Sequence, residues 1–279
     1  MAAVATLGER DTGARRGVDG ARTGNGRRPY YRAPIVTTGL PTSLPSPFDG
    51  LDQLSTGQTQ ATLVILGGLV ALLVVAVHGS WRLARNVVTI AHEGGHALVA
   101  ILSGRTLTRI LLHSDTSGVT VSKGRRDGPG MVATAAAGYA TPPLLGIGAS
   151  VLVAADAISA MLVVAVVLLL ATLILIRNAY GVLSVVLTGA VFVVVAAYGS
   201  ANVQYGFACF VTWFLIIGGL RTVMEVQRKR SRRRAPDSDA DQLERLTGVP
   251  GGIWVAMFAL VGVFALIGAG RLLVVWPPV

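Results

Sequence analysis

The sequence contains one cysteine, Cys209, and few charged residues. A single cysteine excludes an intrachain disulfide, so the cysteine content indicates nothing about the redox compartment. Charged residues make up only 14% of the 279 residues, whereas about a quarter is usual in soluble domains. Hydrophobic residues make up 52%. This composition excludes an ordinary soluble domain and indicates a polytopic helical membrane protein.

Acidic residues are scarcer than basic ones, with 14 Asp and Glu against 24 Lys and Arg, which gives a net charge of +10. In a soluble protein that excess would suggest a nucleic-acid partner. No aromatic residues interleave with the arginines of 228–234, so we expect no nucleic-acid binding. In membrane proteins, basic residues gather in cytoplasmic loops. We therefore interpret the charge as a signal of topology, and we expect the lipid bilayer to be the surrounding medium.

Seven apolar runs have about the length that crosses a bilayer as a helix. The third run contains Gly138, Pro142 and Pro143 and is expected to be kinked or broken. With a cytoplasmic N-terminus, all but Arg82, Arg85 and Arg271 of the basic residues fall in cytoplasmic segments. This bias predicts a multi-pass protein of the cell membrane with that orientation. The predicted spans are 61–78, 86–104, 131–154, 158–176, 179–199, 205–222 and 251–270.

Three segments differ from these runs. Residues 1–58 lack periodicity and are predicted to form a disordered basic tail before a membrane-embedded domain over 59–279. Within 105–127, TRILLH and GVTVSK flank the turn-like SDTSG, which predicts a cytoplasmic β-hairpin. Residues 223–250 are first basic and then acidic, with a possible short helix at 241–247. The fold class is therefore an all-α membrane protein with one small hairpin.

The second run contains the sequence HEGGH at 92–96, which fits H-E-x-x-H. On a helix, His92 and His96 share one face and can bind one zinc ion. Glu93 lies beside the first ligand and can serve as general base for the metal-bound water. Gly94 and Gly95 leave one side of the helix bare, so another helix or a substrate can come close. The pattern predicts a catalytic zinc site; a degenerate metal site and a polar packing cluster are the alternatives.

The stretch AHEGGHALVA, residues 91–100, resembles the zinc-binding helix of the site-2-protease class of intramembrane metalloproteases. Together with RNAYG at 177–181 and SDADQLERLTGVPGGIW at 238–254, it makes the chain from residue 86 onward more closely similar to the peptidase M50B-like membrane proteins. In the site-2-protease class, a β-rich segment also follows the zinc helix. The resemblance implies a zinc protease that cleaves membrane proteins or peptides at or within the membrane.

A zinc hydrolase needs a third protein ligand. Classical site-2 proteases supply an aspartate from an L-D-G type motif, which this chain lacks. The family's S-D-A pattern matches 238–240, so the resemblance implies Asp239 as the third ligand. Asp241 and then Asp237 are the alternatives; each aspartate could instead be a solvated acid offsetting the arginines of 228–234.

The predicted topology separates these groups. His92 and His96 lie near the middle of a span, whereas Asp239 lies in a cytoplasmic segment. For the three to meet, the segment 237–250 must dip into the bundle, or the zinc helix must lie nearer the cytoplasmic face. The sequence Pro250-Gly251-Gly252 is irregular enough to allow such a re-entry.

Two further residues are weaker candidates. Asn178 is predicted either to cap a helix or to donate hydrogen bonds to a substrate backbone or to the oxyanion. His113 lies on the hairpin and is predicted to be exposed or packed. Two other function classes remain open: a transporter or metal-handling protein without hydrolysis, and a degenerate scaffold that binds partner helices. The intact Glu93 disfavours the scaffold.

Overall fold

The computed structural model describes the backbone of residues 49–232 and 238–275. Seven long helices match the seven predicted runs, a short helix carries Asp239, and two strands form the predicted hairpin, so the predicted fold class is confirmed. The helices are α1 (Asp49–Ala76), α2 (His78–Leu102), α3 (Pro129–Ala154), α4 (Ile158–Leu175), α5 (Ala179–Tyr198), α6 (Ala201–Ser231), α7 (Asp239–Thr247) and α8 (Gly251–Gly270), followed by a π-helical turn (Arg271–Val275). The strands are β1 (Thr106–Leu112) and β2 (Gly118–Lys123).

The first helix begins earlier than predicted. α1 starts at Asp49, so residues 49–58, assigned from the sequence to the disordered tail, are helical. Once the apolar part of α1 has nucleated a helix, each added residue gains one hydrogen bond, which carries the helix into the polar segment before it. The rest of the predicted tail, 1–48, lies outside the described residues.

Six of the long helices, all except α2, are long and apolar enough to cross a membrane. The chain is therefore a multi-pass membrane protein. The hydropathy of α2 is lowered by Arg82 and Arg85 near its start and by the HEGGH sequence near its middle. α2, the long helix that is not apolar enough to count as a membrane span, is thus the one that carries the motif.

α1 and α6 lie side by side and run in the same direction, because Leu63 lies beside Gly206 and Gly67 lies beside Phe210. α2 and α6 both run antiparallel to α3. α2 therefore runs in the same general direction as α6 and α1. The neighbouring pairs are Ser103–Gly130 and His96–Thr134 between α2 and α3, and Ile216–Gly146 and Gly219–Pro143 between α6 and α3.

This arrangement corrects the predicted topology. Only Val77 separates α1 from α2, which is too short a connection to reverse the chain into an antiparallel helix pair. Arg85 then lies beside residues that were placed on the opposite side of the membrane: its Nη1 donates to Thr116 Oγ1 at 2.7 Å, and its Nε lies 3.4 Å from Glu225 Oε2. The predicted placement of Arg85 on the side of the membrane opposite the hairpin is wrong. α1 begins at the end of the bundle away from the hairpin, so the predicted cytoplasmic N-terminus and the predicted cytoplasmic hairpin cannot both hold.

α3 is one continuous helix through Pro142 and Pro143, so the predicted break is absent. Pro142 and Pro143 are both buried, and Pro143 lies against Gly219 of α6. Close packing against a neighbouring helix is how proline is tolerated inside a membrane helix. α3 therefore stays long enough to face both α2 and α6, which places it behind the HEGGH sequence.

The hairpin is antiparallel and pairs Thr106 with Lys123 and Leu112 with Gly118. β1 packs against the junction of α4 and α5, where Ile110 forms a parallel bridge with Ile176. β2 lies along α2. His113 belongs to the turn rather than to the strand and is exposed, which confirms one of its two predicted environments.

Candidate metal centre

His92 and His96 lie on the face of α2 that is turned toward α3 and α7. Their Nε2 atoms are 3.1 Å apart. The Nδ1 atom of His96 lies 2.7 Å from the Thr134 carbonyl oxygen of α3. A carbonyl oxygen only accepts, so Nδ1 carries the proton and donates, which leaves the lone pair of a neutral imidazole on Nε2. This is the second-sphere arrangement that orients a histidine ligand toward a metal.

Asp239 is brought to the same point from α7. Its Oδ2 lies 3.1 Å from His92 Nε2 and 3.3 Å from His96 Nε2. α7 packs against α3 and α8, so the segment between α6 and α8 folds back onto the bundle beside the motif. The structure thereby brings together three residues that the sequence-based topology had separated.

The three donor atoms have the chemistry and spacing of a zinc site. Ligands at about 2.0–2.1 Å from a tetrahedral zinc ion lie roughly 3.3–3.4 Å from one another. The three atoms here are separated by 3.1–3.3 Å. When His96 is neutral, the lone pair on its Nε2 faces the lone pairs of the Asp239 carboxylate, and a metal ion or a proton between the two atoms removes that repulsion. Two imidazoles and one carboxylate, with a fourth position open, form the ligand set of a catalytic zinc ion.

Asp241 has different partners, although it lies only two residues from Asp239. Its Oδ1 accepts from Arg230, at 2.8 Å from Nε and 2.7 Å from Nη2, and its Oδ2 accepts from Ser238 Oγ at 2.5 Å. Desolvation opposes ionisation of Asp241, but Ser238 and Arg230 outweigh it and hold its pKa below the usual range. The carboxylate of Asp241 therefore supports α7. Asp237 lies outside the described residues.

The carboxyl of Asp239 is kept ionised by its surroundings. Burial raises the pKa of this carboxyl, but imidazoles that carry a proton outweigh burial through their charges and hydrogen bonds and hold the pKa well below the usual range; a bound metal cation would act in the same direction. Its position in the first turn of α7 also favours negative charge, because the helix dipole is positive there. An ionised carboxylate is the form that binds a metal.

Two glycines make room for the cluster. A β-carbon at Gly138 of α3 would lie 2.6 Å from His92 Nε2 and would also press on His96 Nε2. A β-carbon at Gly95 would lie 2.6 Å from the β-carbon of Thr141. The close helix contact predicted from the Gly-Gly pair is thus present at Gly95. Gly94 has only an ordinary contact, 3.6 Å from Thr172 Oγ1.

Glu93 points to the hairpin instead of joining the donor cluster. It is 4% exposed, and its Oε2 accepts a hydrogen bond of 2.6 Å from Thr120 Oγ1 on β2. Gly118 lies directly against the carboxylate, where a β-carbon would collide with it. The carboxylate is therefore held by the hairpin, outside the donor cluster but in the wall of the same cavity. Thr120 and Gly118 carry no motif signal in the sequence.

A cavity of about 560 Å³ opens beside the cluster. Its walls come from α2, β2, α3, α6 and α7, and Tyr139 lines it with its ring edge-on to His92, at 4.6 Å between centroids. Farther along α2, the cavity is closed by Arg85, Thr116 and Glu225. The hairpin therefore bounds the cavity on one side and helix faces bound it on the other.

Asn178 lies elsewhere in the fold. Its Nδ2 donates to the Leu112 carbonyl at 2.6 Å, and its Oδ1 accepts from the Leu112 N–H at 3.2 Å. Among the described residues that line the cavity, Asn178 is absent. Its side chain ties the end of β1 to the start of α5 and makes no cap hydrogen bond to that helix. The substrate-binding role stays a prediction.

One known protein family covers the part of the chain that carries the motif helix, the hairpin and the short acidic helix. The Peptidase M50B-like family matches residues 65–269, which include every donor atom of the cluster. The chain belongs to this family. No curated protein and no solved structure matches the chain.

Proposed function

We propose that this protein is a zinc-dependent intramembrane peptidase in which His92, His96 and Asp239 hold the metal and Glu93 is the general base. The observation that carries the proposal is the convergence of three donor atoms within 3.3 Å of one another, with a separate buried carboxylate beside them. Membership in the Peptidase M50B-like family supports it. If the cluster served only to pack helices together, Glu93, a fourth ionisable group held apart from the other three, would have no role.

Glu93 moves the proton in the proposed reaction. It accepts a proton from the attacking water and later passes it to the nitrogen of the leaving amine, so that water and one peptide bond give a carboxylate and an amine. Zinc supplies Lewis-acid activation of the water and the carbonyl when it is bound. Thr120 holds one oxygen of Glu93, which leaves the other free to exchange the proton.

The proposed substrates are membrane proteins or peptides in the bilayer. The cluster lies inside a bundle of apolar helices, and residues of β2 line the cavity on one side. A transmembrane helix has all its backbone groups paired, so a substrate segment must unwind before a peptide bond reaches the cluster. Polar groups along β2 and α2 can satisfy the freed backbone.

We also propose that the end of the bundle that carries the hairpin faces the cytoplasm. Within the described residues, the basic side chains of the hairpin and of the last turns of α6 lie at that end. The bias of basic residues toward the cytoplasm supports this orientation in the cell membrane. Labelling of single cysteines introduced at positions 125 and 271 in intact cells would check it; we expect protection at 125 and labelling at 271.

The metal is tested first, by elemental analysis of detergent-purified wild type, His96→Ala and Glu93→Gln. We expect about one zinc per chain in the wild type and in Glu93→Gln, and less than a tenth of that in His96→Ala, which has lost a ligand. A metal-free wild type after growth with ample zinc would refute the zinc site.

Hydrolysis is tested on membranes from cells that express the wild type or Glu93→Gln. New peptide termini in membrane proteins, measured by mass spectrometry, should appear with the wild type only. Equal sets of termini would reject the peptidase and favour a metal-handling protein, because Glu93→Gln keeps the ligands and removes only the base.

A further inference from the structure

Arg230, in the last turn of α6, joins the ends of three helices. Its Nε and Nη2 both contact Asp241 Oδ1, and Nη2 also lies 3.5 Å from Glu244 Oε2. The Arg230 side chain is only 15% exposed. Glu244 Oε2 in turn accepts from the Gly251 N–H at 2.8 Å, at the start of α8. One guanidinium thus connects the end of α6 directly to α7 and, through Glu244, to the start of α8.

Residue 251, at the start of α8, is a glycine, and its lack of a side chain allows the contact with Arg230. A β-carbon on Gly251 would collide with the Arg230 guanidinium and would lie 2.9 Å from the Ala240 carbonyl oxygen. Gly251 therefore leaves the space that the guanidinium fills. Since charge-assisted hydrogen bonds are about twice as strong as neutral ones, the packed ion pair of Arg230 and Asp241 is a strong polar restraint on α7.

α7 depends on such restraints. It has nine residues, and isolated helices shorter than about 12–15 residues are marginal in water. Ala240 and Leu243 are buried, so they hold one face of the helix. An apolar face alone allows small shifts along and around the helix axis. Asp241 fixes the first turn, and Asp239 lies in that same turn.

We propose that Arg230 is a positioning residue for the metal centre: by holding Asp241 and Glu244, it sets α7 so that Asp239 Oδ2 meets the two imidazoles. Arg230 does not touch the metal ligands. The inference rests on the proposed zinc site. It assigns to the end of α6 a role in metal affinity, in addition to its basic charge.

Zinc affinity, measured by competition with a chromophoric chelator on the detergent-purified full chain, tests this. We expect Arg230→Gln to weaken zinc binding by about 10- to 100-fold, the usual range for residues that orient a ligand. Arg228→Gln is the matched control, since Arg228 is an exposed arginine on the same turn of α6; we expect a change of less than about twofold.

The decisive comparison uses an Asp239→Asn background. If Arg230 acts by placing Asp239, then Arg230→Gln has no further effect on zinc affinity once that ligand is gone, whereas a general weakening of the fold would add to the loss. Asp241→Asn, which keeps the size of the side chain, should reproduce the effect of Arg230→Gln and serves in its place if that variant does not fold.

The outcomes separate the two proposals. A wild type that binds no zinc overturns the zinc site itself and this role with it. A wild type that binds zinc, with equal affinity in Arg230→Gln and Asp241→Asn, overturns only the positioning role. If Arg230→Gln lowers zinc affinity in the Asp239→Asn background as much as it does in the wild type, the positioning role is overturned as well.

Discussion

α2 and α7 bring their donors to the same centre in different ways. In α2, His92 and His96 are four residues apart in a 25-residue helix, so the helix geometry alone places both rings on one face. In α7, Asp239 belongs to a nine-residue helix whose position depends on Ser238, Arg230 and its contacts with α3 and α8. A ligand pair within one long helix is set by local structure, whereas a ligand on a short helix is set by its neighbours.

The largest expected effect comes from filling the space between the two helices. Gly138→Val would place a branched side chain where the Nε2 atoms of His92 and His96 meet, so we expect bound zinc to fall below a tenth of the wild-type content. Gly148→Val is the control, because Gly148 lies on the same helix with open space beside it. Elemental analysis and circular dichroism report metal and helix content. Normal zinc in Gly138→Val would show that the donors do not meet where the structure places them.

The next contrast is between two aspartates of α7. Asp239→Asn removes a ligand charge, and we expect zinc affinity to fall by at least about 100-fold. Asp241→Asn leaves the ligands intact and weakens only the support of α7, so we expect a loss of about 10-fold. Chelator competition measures both. The reverse order would make Asp241 the third ligand.

A smaller effect is expected on the opposite side of α2, where β2 holds Glu93. Thr120→Val removes a hydrogen bond to a charged group, worth about 1.5–3 kcal/mol, while leaving the donor cluster untouched. We expect zinc content to be unchanged and the yield of new peptide termini to fall by about 10-fold or more. Thr120→Ser should restore it. Loss of zinc in Thr120→Val would mean that β2 supports the metal instead of the base.

The smallest expected effects concern the two glycines of the motif. Gly95→Ala would push a methyl group into Thr141, and overpacking of this kind destabilises by about 1–3 kcal/mol. Gly94→Ala meets only an ordinary contact and should be neutral or stabilise by up to about 1 kcal/mol, since alanine favours helix. Thermal unfolding in detergent compares them. Equal effects would show that α2 and α3 do not approach closely at Gly95.

The membrane topology shows where sequence reasoning failed. Hydropathy and charge found all seven long helices, but they treated α2 as a separate crossing. α2 instead continues in the direction of α1, and Arg85 pairs with Glu225. Loop charges describe only the ends of helices, so they do not reveal that two consecutive helices run the same way. The contact between Arg85 and the hairpin turn required the tertiary structure.

The sequence by itself determined the helical membrane fold, the hairpin and the pair of histidines with Glu93, because each depends on residues close together in the chain. The S-D-A resemblance also implied Asp239 as the third donor, with Asp241 and Asp237 as alternatives. Only the tertiary structure decided which aspartate faces the imidazoles, since Asp239 and Asp241 differ in their partners and not in their residue type. It also decided that Thr120, Thr134 and Gly138 surround the site. These contacts join helices and strands that are distant in sequence, and such contacts leave no local pattern.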